Sequence, residues 1–150
     1  MNTDLNALAF VDLETTGGSA TKDRITEIGI VLVDNQGVRE WTQLINPQTR
    51  IPEFIAQITG ITNDMVQDAP LFQEVAAEVE AMLHGHLFIA HNARFDYGFL
   101  KNEFKRVGRD FRPSILCTVK LSRSFHPMRT LPAVRRPEST AAHSLPKGHD

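Results

Sequence analysis

Asp12-Leu13-Glu14 closes a short apolar run, Leu8-Ala9-Phe10-Val11, and Thr15-Thr16-Gly17-Gly18 breaks the chain directly after it. In a strand, residues two apart share a face, so Asp12 and Glu14 project together while Leu13 turns the other way. Two like unit charges about 4 Å apart repel by on the order of 4 kcal/mol at an effective dielectric near ~20. A hard divalent cation such as Mg²⁺ takes oxygen ligands and removes that cost. The same pair on an exposed strand would only face water. What favours a site is position, since the pair ends an apolar strand beside a glycine turn where backbone can approach a ligand.

A third acid, Asp96, lies in His91-Asn92-Ala93-Arg94-Phe95-Asp96-Tyr97-Gly98-Phe99-Leu100. Helical spacing puts it on one stripe with Leu100, Glu103 and Val107, on the core side of a helix's first turn. An acid in a first turn is equally ordinary dipole chemistry. Taken together, the three carboxylates suit a site for two metal ions, where the end of a strand meets the start of a helix.

The elements that must hold these residues read as follows. Leu8 to Val11, ending in Asp12-Leu13-Glu14, is a first strand running into a turn; Ile28 to Val33 and the alternating Val38 to Ile45 form a hairpin through Asp34-Asn35-Gln36-Gly37. Pro47 and Pro52 interrupt the chain. Phe72, Val75, Ala76, Val79, Met82 and Leu83 then recur at helical intervals before Gly85. Leu87 to Ala90 is a buried strand, Asn92 an N-cap, and a helix runs from about Arg94 to Val107 and stops at Gly108. Ser114 to Cys117 is a last strand, with a helix starting near Val119. This order predicts a mixed sheet with helices packed on it. From Pro127 the pattern ends: four of the eight prolines fall in residues 127–150 with no apolar period between them, the composition of a disordered or non-native tail.

With 150 residues, 41% hydrophobic and 23% charged, the chain is the size and composition of one ordinary globular domain. It has no apolar run long enough for a transmembrane helix and no secretory pattern at its start, so no membrane partner is expected. Cys117 is the only cysteine, read as a packed thiol, and the cytoplasm is the expected compartment. The net charge of -2 conceals two unlike halves: residues 1–93 hold 4 Lys and Arg against 13 Asp and Glu, and residues 94–150 hold 12 against 5. Lys101, Lys105, Arg106, Arg109, Arg112, Lys120 and Arg123 form a basic flank beside Asp96. Such a flank is either a solvated surface or a sequence-independent phosphate contact. His84-Gly85-His86 reads as a surface helix end.

Phe10-Val11-Asp12-Leu13-Glu14-Thr15-Thr16-Gly17 resembles the first motif of the DEDDh exonucleases, and His91-Asn92-Ala93-Arg94-Phe95-Asp96 resembles the second. The hairpin and Ile58-Thr59-Gly60-Ile61 are also similar to family sequence, and the resemblance extends through about Arg123. This family includes the epsilon proofreading subunit of bacterial DNA polymerase III. The resemblance implies an α/β, ribonuclease-H-like fold: a five-stranded mixed sheet flanked by helices, over residues 1–126. It implies Asp12, Glu14 and Asp96 as ligands of two Mg²⁺ or Mn²⁺ ions, and Leu13, Thr15, Thr16, Asn92 and Phe95 as the lining of a terminal-nucleotide pocket. The implied reaction is 3′-to-5′ hydrolysis of DNA releasing nucleoside 5′-monophosphates, in proofreading or repair. The implied partners are DNA 3′ ends, single-stranded DNA and a polymerase catalytic subunit.

The family's third motif, a histidine with an aspartate five residues later, has no counterpart. Five residues after His126 and His143 stand Leu131 and Gly148, and His149 is followed only by Asp150. A truncated or frame-shifted reading of a longer gene would give this pattern and leave the domain's C-terminal part incomplete. The alternative to an active exonuclease is therefore a catalytically impaired domain that binds nucleotides or DNA ends.

Overall fold

The computed structural model describes residues 6–117. The helix expected near Val119, the tail from Pro127, the third-motif region and Lys120 and Arg123 of the basic flank lie outside the described residues. β1 (Leu8–Thr15) pairs antiparallel with β2 (Ile25–Asp34), and β2 antiparallel with β3 (Gly37–Leu44). On its other side β1 pairs parallel with β4 (Leu87–Ala90), and β4 parallel with β5 (Ile115–Cys117). The order β3-β2-β1-β4-β5 is the mixed five-stranded sheet expected, with β1 at its centre.

Strand parity decides which side of β1 is buried. Ala9, Val11 and Leu13 face the core together with Ile28, Ile30 and Leu32, their cross-strand partners in β2. Two helices cover this face: α3 (Phe72–Leu83) through Phe72, Val75, Ala76, Val79 and Leu83, and α4 (Ala93–Arg106) through Phe99, Leu100 and Phe104. Burying each such aliphatic or aromatic side chain contributes roughly 1.5–3 kcal/mol. Phe104 meets Phe72 edge-on at 5.1 Å between ring centroids and Phe111 at 4.8 Å. On the opposite face Phe10 and Asp12 are exposed.

The structure adds two short helices between the hairpin and α3, where the reading saw only interruption by proline: α1 (Glu53–Thr59) and α2 (Asn63–Val66). Each is too short for a helical period to show. α1 ends at Gly60, whose φ of +74° is the left-handed stop that glycine adopts without penalty. β1 runs through both acids, as read, to Thr15. β2 is longer than read and begins at Ile25, because ladder hydrogen bonds carry polar residues that an apolar run does not reveal.

Asn92 does precede α4, but its side chain makes no cap hydrogen bond. Its carbonyl accepts from the N–H groups of Phe95 and Asp96 instead. α4 ends as expected, at Val107 before Gly108 with φ +77°. His84 caps the end of α3, and His86 turns back to place Nε2 3.0 Å from the Asp34 carboxylate.

Candidate active site

β4 runs parallel to β1 with Phe10 opposite Ile89, so the chain leaves β4 beside the carboxyl end of β1 and enters α4 three residues later. The C-terminal edge of parallel strands is where open α/β sheets place ligands. Here it brings Asp96 to Asp12 and Glu14. Asp96 is 6% exposed. Burial, then the nearby Asp12 charge, and more weakly Glu14, push its carboxyl up to about 7, against the pull of a hydrogen bond from the Leu13 backbone N–H. Asp12 is exposed and Glu14 half-buried.

The β1–β2 ladder adds one more negative charge here and leaves room beside another. Glu14 stands directly opposite Glu27 in the β1–β2 ladder, and like charges at such a position are destabilising. Opposite Asp12 is Gly29, which puts no side chain beside the carboxylate. From Asp12 a groove of about 450 Å³ runs over the sheet face opposite the core, lined by Phe10, Gly29, Val31, Thr42, Ile89 and His91 among others. The donor set is all carboxylate oxygen, the chemistry of hard divalent cations. Among the described residues, however, no three acidic, histidine or cysteine side chains stand close enough to hold an ion as they are. The charges are coupled, but the cage is not closed.

The remaining expected residues fall around this centre in different ways. Leu13 is buried in the core and reaches the site by its backbone N–H. A register shift at Glu14/Thr15 marks where β1 leaves the ladder, a common device beside active sites. Thr15 and Thr16 are both buried, and each hydroxyl donates inside the turn: Thr15 to the Gly17 carbonyl at 2.7 Å and Thr16 to Asp23 at 3.2 Å. Phe95 is half-buried, its ring 4.7 Å from Phe99 and packed on the core.

The basic flank is partly tied up within the fold. Arg109 pairs with Glu80, Arg112 with Asp110, and Arg106 with Glu103. Lys101 lies over the Tyr97 ring at 5.9 Å. Sequence reasoning put Glu103 on the inward stripe but missed its pairing with Arg24, and missed Asp23 and Glu27. Glu27 was findable from its ladder position opposite Glu14 and Asp23 from its closeness in sequence to Thr16 and Ser19; the Arg24–Glu103 pair was not, because its members are 79 positions apart.

The sequence profile of the RNase T exonuclease family, described as an exonuclease, matches residues 9–149, past the Arg123 at which the motif resemblance ends. The 3′-5′ exonuclease DinG of Bacillus subtilis is 43% identical over 120 residues, which is 78% of this chain and 13% of that protein. The PolC-type DNA polymerase III of Caldanaerobacter subterraneus subsp. tengcongensis is 40% identical over 116 residues, 77% of this chain and 8% of the polymerase. The chain thus spans a small fraction of the length of these relatives. Among solved structures, product-bound exonuclease I superposes with a TM-score of 0.74 over 84% of this chain and 33% of its own, at 20% identity. The zinc-bound E. coli exonuclease I complex with single-stranded DNA gives the same score over 84% of this chain and 30% of its own. Likeness at that identity establishes the ribonuclease-H-like fold. With the profile match over most of the chain and relatives above 30% identity, the chain belongs to the RNase T exonuclease family.

Proposed function

We propose that this chain is the nuclease module of a 3′-to-5′ DNA exonuclease that releases nucleoside 5′-monophosphates, with Asp12, Glu14 and Asp96 holding two Mg²⁺ or Mn²⁺ ions. The observation that carries it is the convergence of the β1 pair on the buried Asp96, whose carboxyl is pushed up first by burial and then by the Asp12 charge. When bound, such ions supply a nucleophilic hydroxide and stabilise the leaving 3′ oxygen. The protein's own part is to collect and orient oxygen donors. The Leu13 N–H fixes one Asp96 oxygen, and Asp96 must give up its proton when positive charge arrives. The epsilon-like role, in which the module serves a polymerase catalytic subunit, is supported by the resemblance of the motifs and by the polymerase among the relatives.

A second reading has its own observation. Within these 150 residues no histidine after Asp96 has an aspartate five residues on, so this stretch does not itself supply the histidine and aspartate pair that the resemblance implies. A positioned base contributes on the order of 10² to 10⁴ in rate. The chain as written is then a nucleotide- or DNA-end-binding domain with little turnover. Release of mononucleotides from a 3′-labelled single-stranded oligonucleotide with Mg²⁺, with Asp12→Ala and a chelator as controls, separates the two. Slow or undetectable release together with nucleotide binding favours the impaired domain. Vigorous release abolished by Asp12→Ala favours the active enzyme. Neither release nor nucleotide binding sinks both readings.

A further inference from the structure

We infer that Glu103 is a positioning residue for the terminal-nucleotide pocket, acting through Arg24 on the turn that follows the metal-collecting acids; this rests on the functional reading above. Glu103 lies seven residues, two helical turns, beyond Asp96 on the same buried stripe of α4, and is 1% exposed. Its carboxylate accepts from Arg24 twice, Nε at 2.7 Å and Nη2 at 3.0 Å, and from Arg106 Nη1 at 3.0 Å. Arg106 in turn donates through Nη2 to the Thr21 carbonyl at 3.1 Å. Both arginines therefore fasten the β1–β2 turn to α4. Ala20, in the same turn, packs on the half-buried α4 face that Gly98 leaves open.

Arg24 passes this constraint on to Thr16. Its carbonyl accepts from the Thr16 N–H at 2.9 Å, and its own N–H donates to the Thr16 hydroxyl oxygen at 3.0 Å. The Thr16 hydroxyl donates to Asp23, whose other oxygen accepts from the Ser19 N–H at 2.9 Å. One helix thus carries two buried acids with separate duties. Asp96 meets the charges of β1, and Glu103 indexes the turn that leaves β1 one residue after Glu14. A two-pronged arginine fork fixes angle as well as distance, which a point charge does not. Loosening it displaces the turn relative to the carboxylates without touching any of them.

The test is calorimetric titration of thymidine 5′-monophosphate in the presence of Mn²⁺, and of Mn²⁺ alone, with hydrogen exchange followed in residues 15–24. Glu103→Gln should weaken nucleotide binding roughly tenfold, a loss of about 1.4 kcal/mol in binding free energy. It should leave Mn²⁺ affinity unchanged and speed exchange at Thr16 and Arg24. Arg24→Lys keeps the charge without the fork and should fall between wild type and Glu103→Gln; it decides the matter if Glu103→Gln does not fold. Unchanged nucleotide affinity in the folded variants overturns the inference and leaves the functional reading intact. A wild type that binds Mn²⁺ but no nucleotide overturns the functional reading and the inference with it.

Discussion

The backbone N–H of Leu13 donates to the Asp96 carboxylate, so the residue between the two acids of β1 also holds the third acid on α4. One short stretch of strand therefore presents two carboxylates by its side chains and aims the third by its backbone. Parity makes the division of labour unavoidable: the Leu13 side chain faces the core, where it is 5% exposed, while its peptide group lies at the strand's carboxyl end beside the helix start.

This arrangement sets a pH dependence for the metal-free protein. Asp96 titrates near 4 when unfolded and about 7 when folded, raised first by burial and then by Asp12. Between those values the native state binds more protons than the unfolded state, so stability must fall as pH rises. It is greatest below about pH 4 on this account and fully reduced above about pH 7, with a ceiling on the order of 4 kcal/mol from about 1.4 kcal/mol per pKa unit. Thermal melts with chelator across this range should show the decline, and Asp96→Asn should flatten it. A wild-type midpoint that climbs steadily from pH 4 to 7, with the same climb in Asp96→Asn, would refute this account of Asp96.

Divalent cations should reverse that loss. Ligands that bind only the folded state stabilise it by mass action, and here they also offset repulsion among Asp12, Glu14 and Asp96. At pH 7.5 saturating Mn²⁺ should raise the midpoint by several degrees, an effect of roughly 2–3 kcal/mol at about a hundredfold excess over Kd. Asp12→Ala should remove most of the shift. Because the site must lose the Asp96 proton, the shift should shrink toward pH 5.5. An equal shift in Asp12→Ala would place the cation elsewhere.

Thr26 offers a test of the scaffold under the site. It is 1% exposed, and its hydroxyl has no hydrogen-bond partner among the described residues. A buried hydroxyl without a partner costs about 1–3 kcal/mol. Thr26→Val keeps the shape and should raise stability by about 1 kcal/mol in urea unfolding, with the slope unchanged. A loss of more than that would mean the hydroxyl has a partner in solution, such as a buried water.

The parts of this molecule legible in sequence are those governed by local period. Strand parity placed Asp12 and Glu14 on one face, and the α4 stripe placed Asp96, Leu100 and Glu103 inward, as found. The strands and the two long helices followed from runs and stops. What stayed hidden depends on residues distant in the chain. Arg24 and Glu103 are 79 positions apart, and nothing in the spacing of either marks the pair. Arg106 and Arg109 read as either solvated surface or phosphate contact, and neither reading shows that their guanidinium groups meet Glu103 and Glu80. Thr15 and Thr16 stand in the motif expected to line a nucleotide pocket, and the motif does not reveal that their hydroxyl protons are bound inside the turn.

That turn supplies the last prediction, at Gly17. A Cβ there would meet the Asp23 carboxyl at 2.6 Å from Oδ2 and 2.7 Å from Cγ, closer than any real side chain stands. Asp23 could swing away only by giving up its bonds to the Ser19 N–H and the Thr16 hydroxyl, and the second of these steadies a residue one position from the β1 bulge. Gly17→Ala should therefore cost about 1–3 kcal/mol, the usual range for forcing extra volume into a packed place. It should also weaken thymidine 5′-monophosphate binding, while the Mn²⁺-induced rise in midpoint survives because no carboxylate of the metal site moves. Gly18→Ala is the control, since nothing lies within 4 Å of its Cβ position. Melting and nucleotide titration of both variants decide the outcome. If Gly17→Ala matches Gly18→Ala in both, the close approach of the turn to Asp23 plays no part in shaping the pocket.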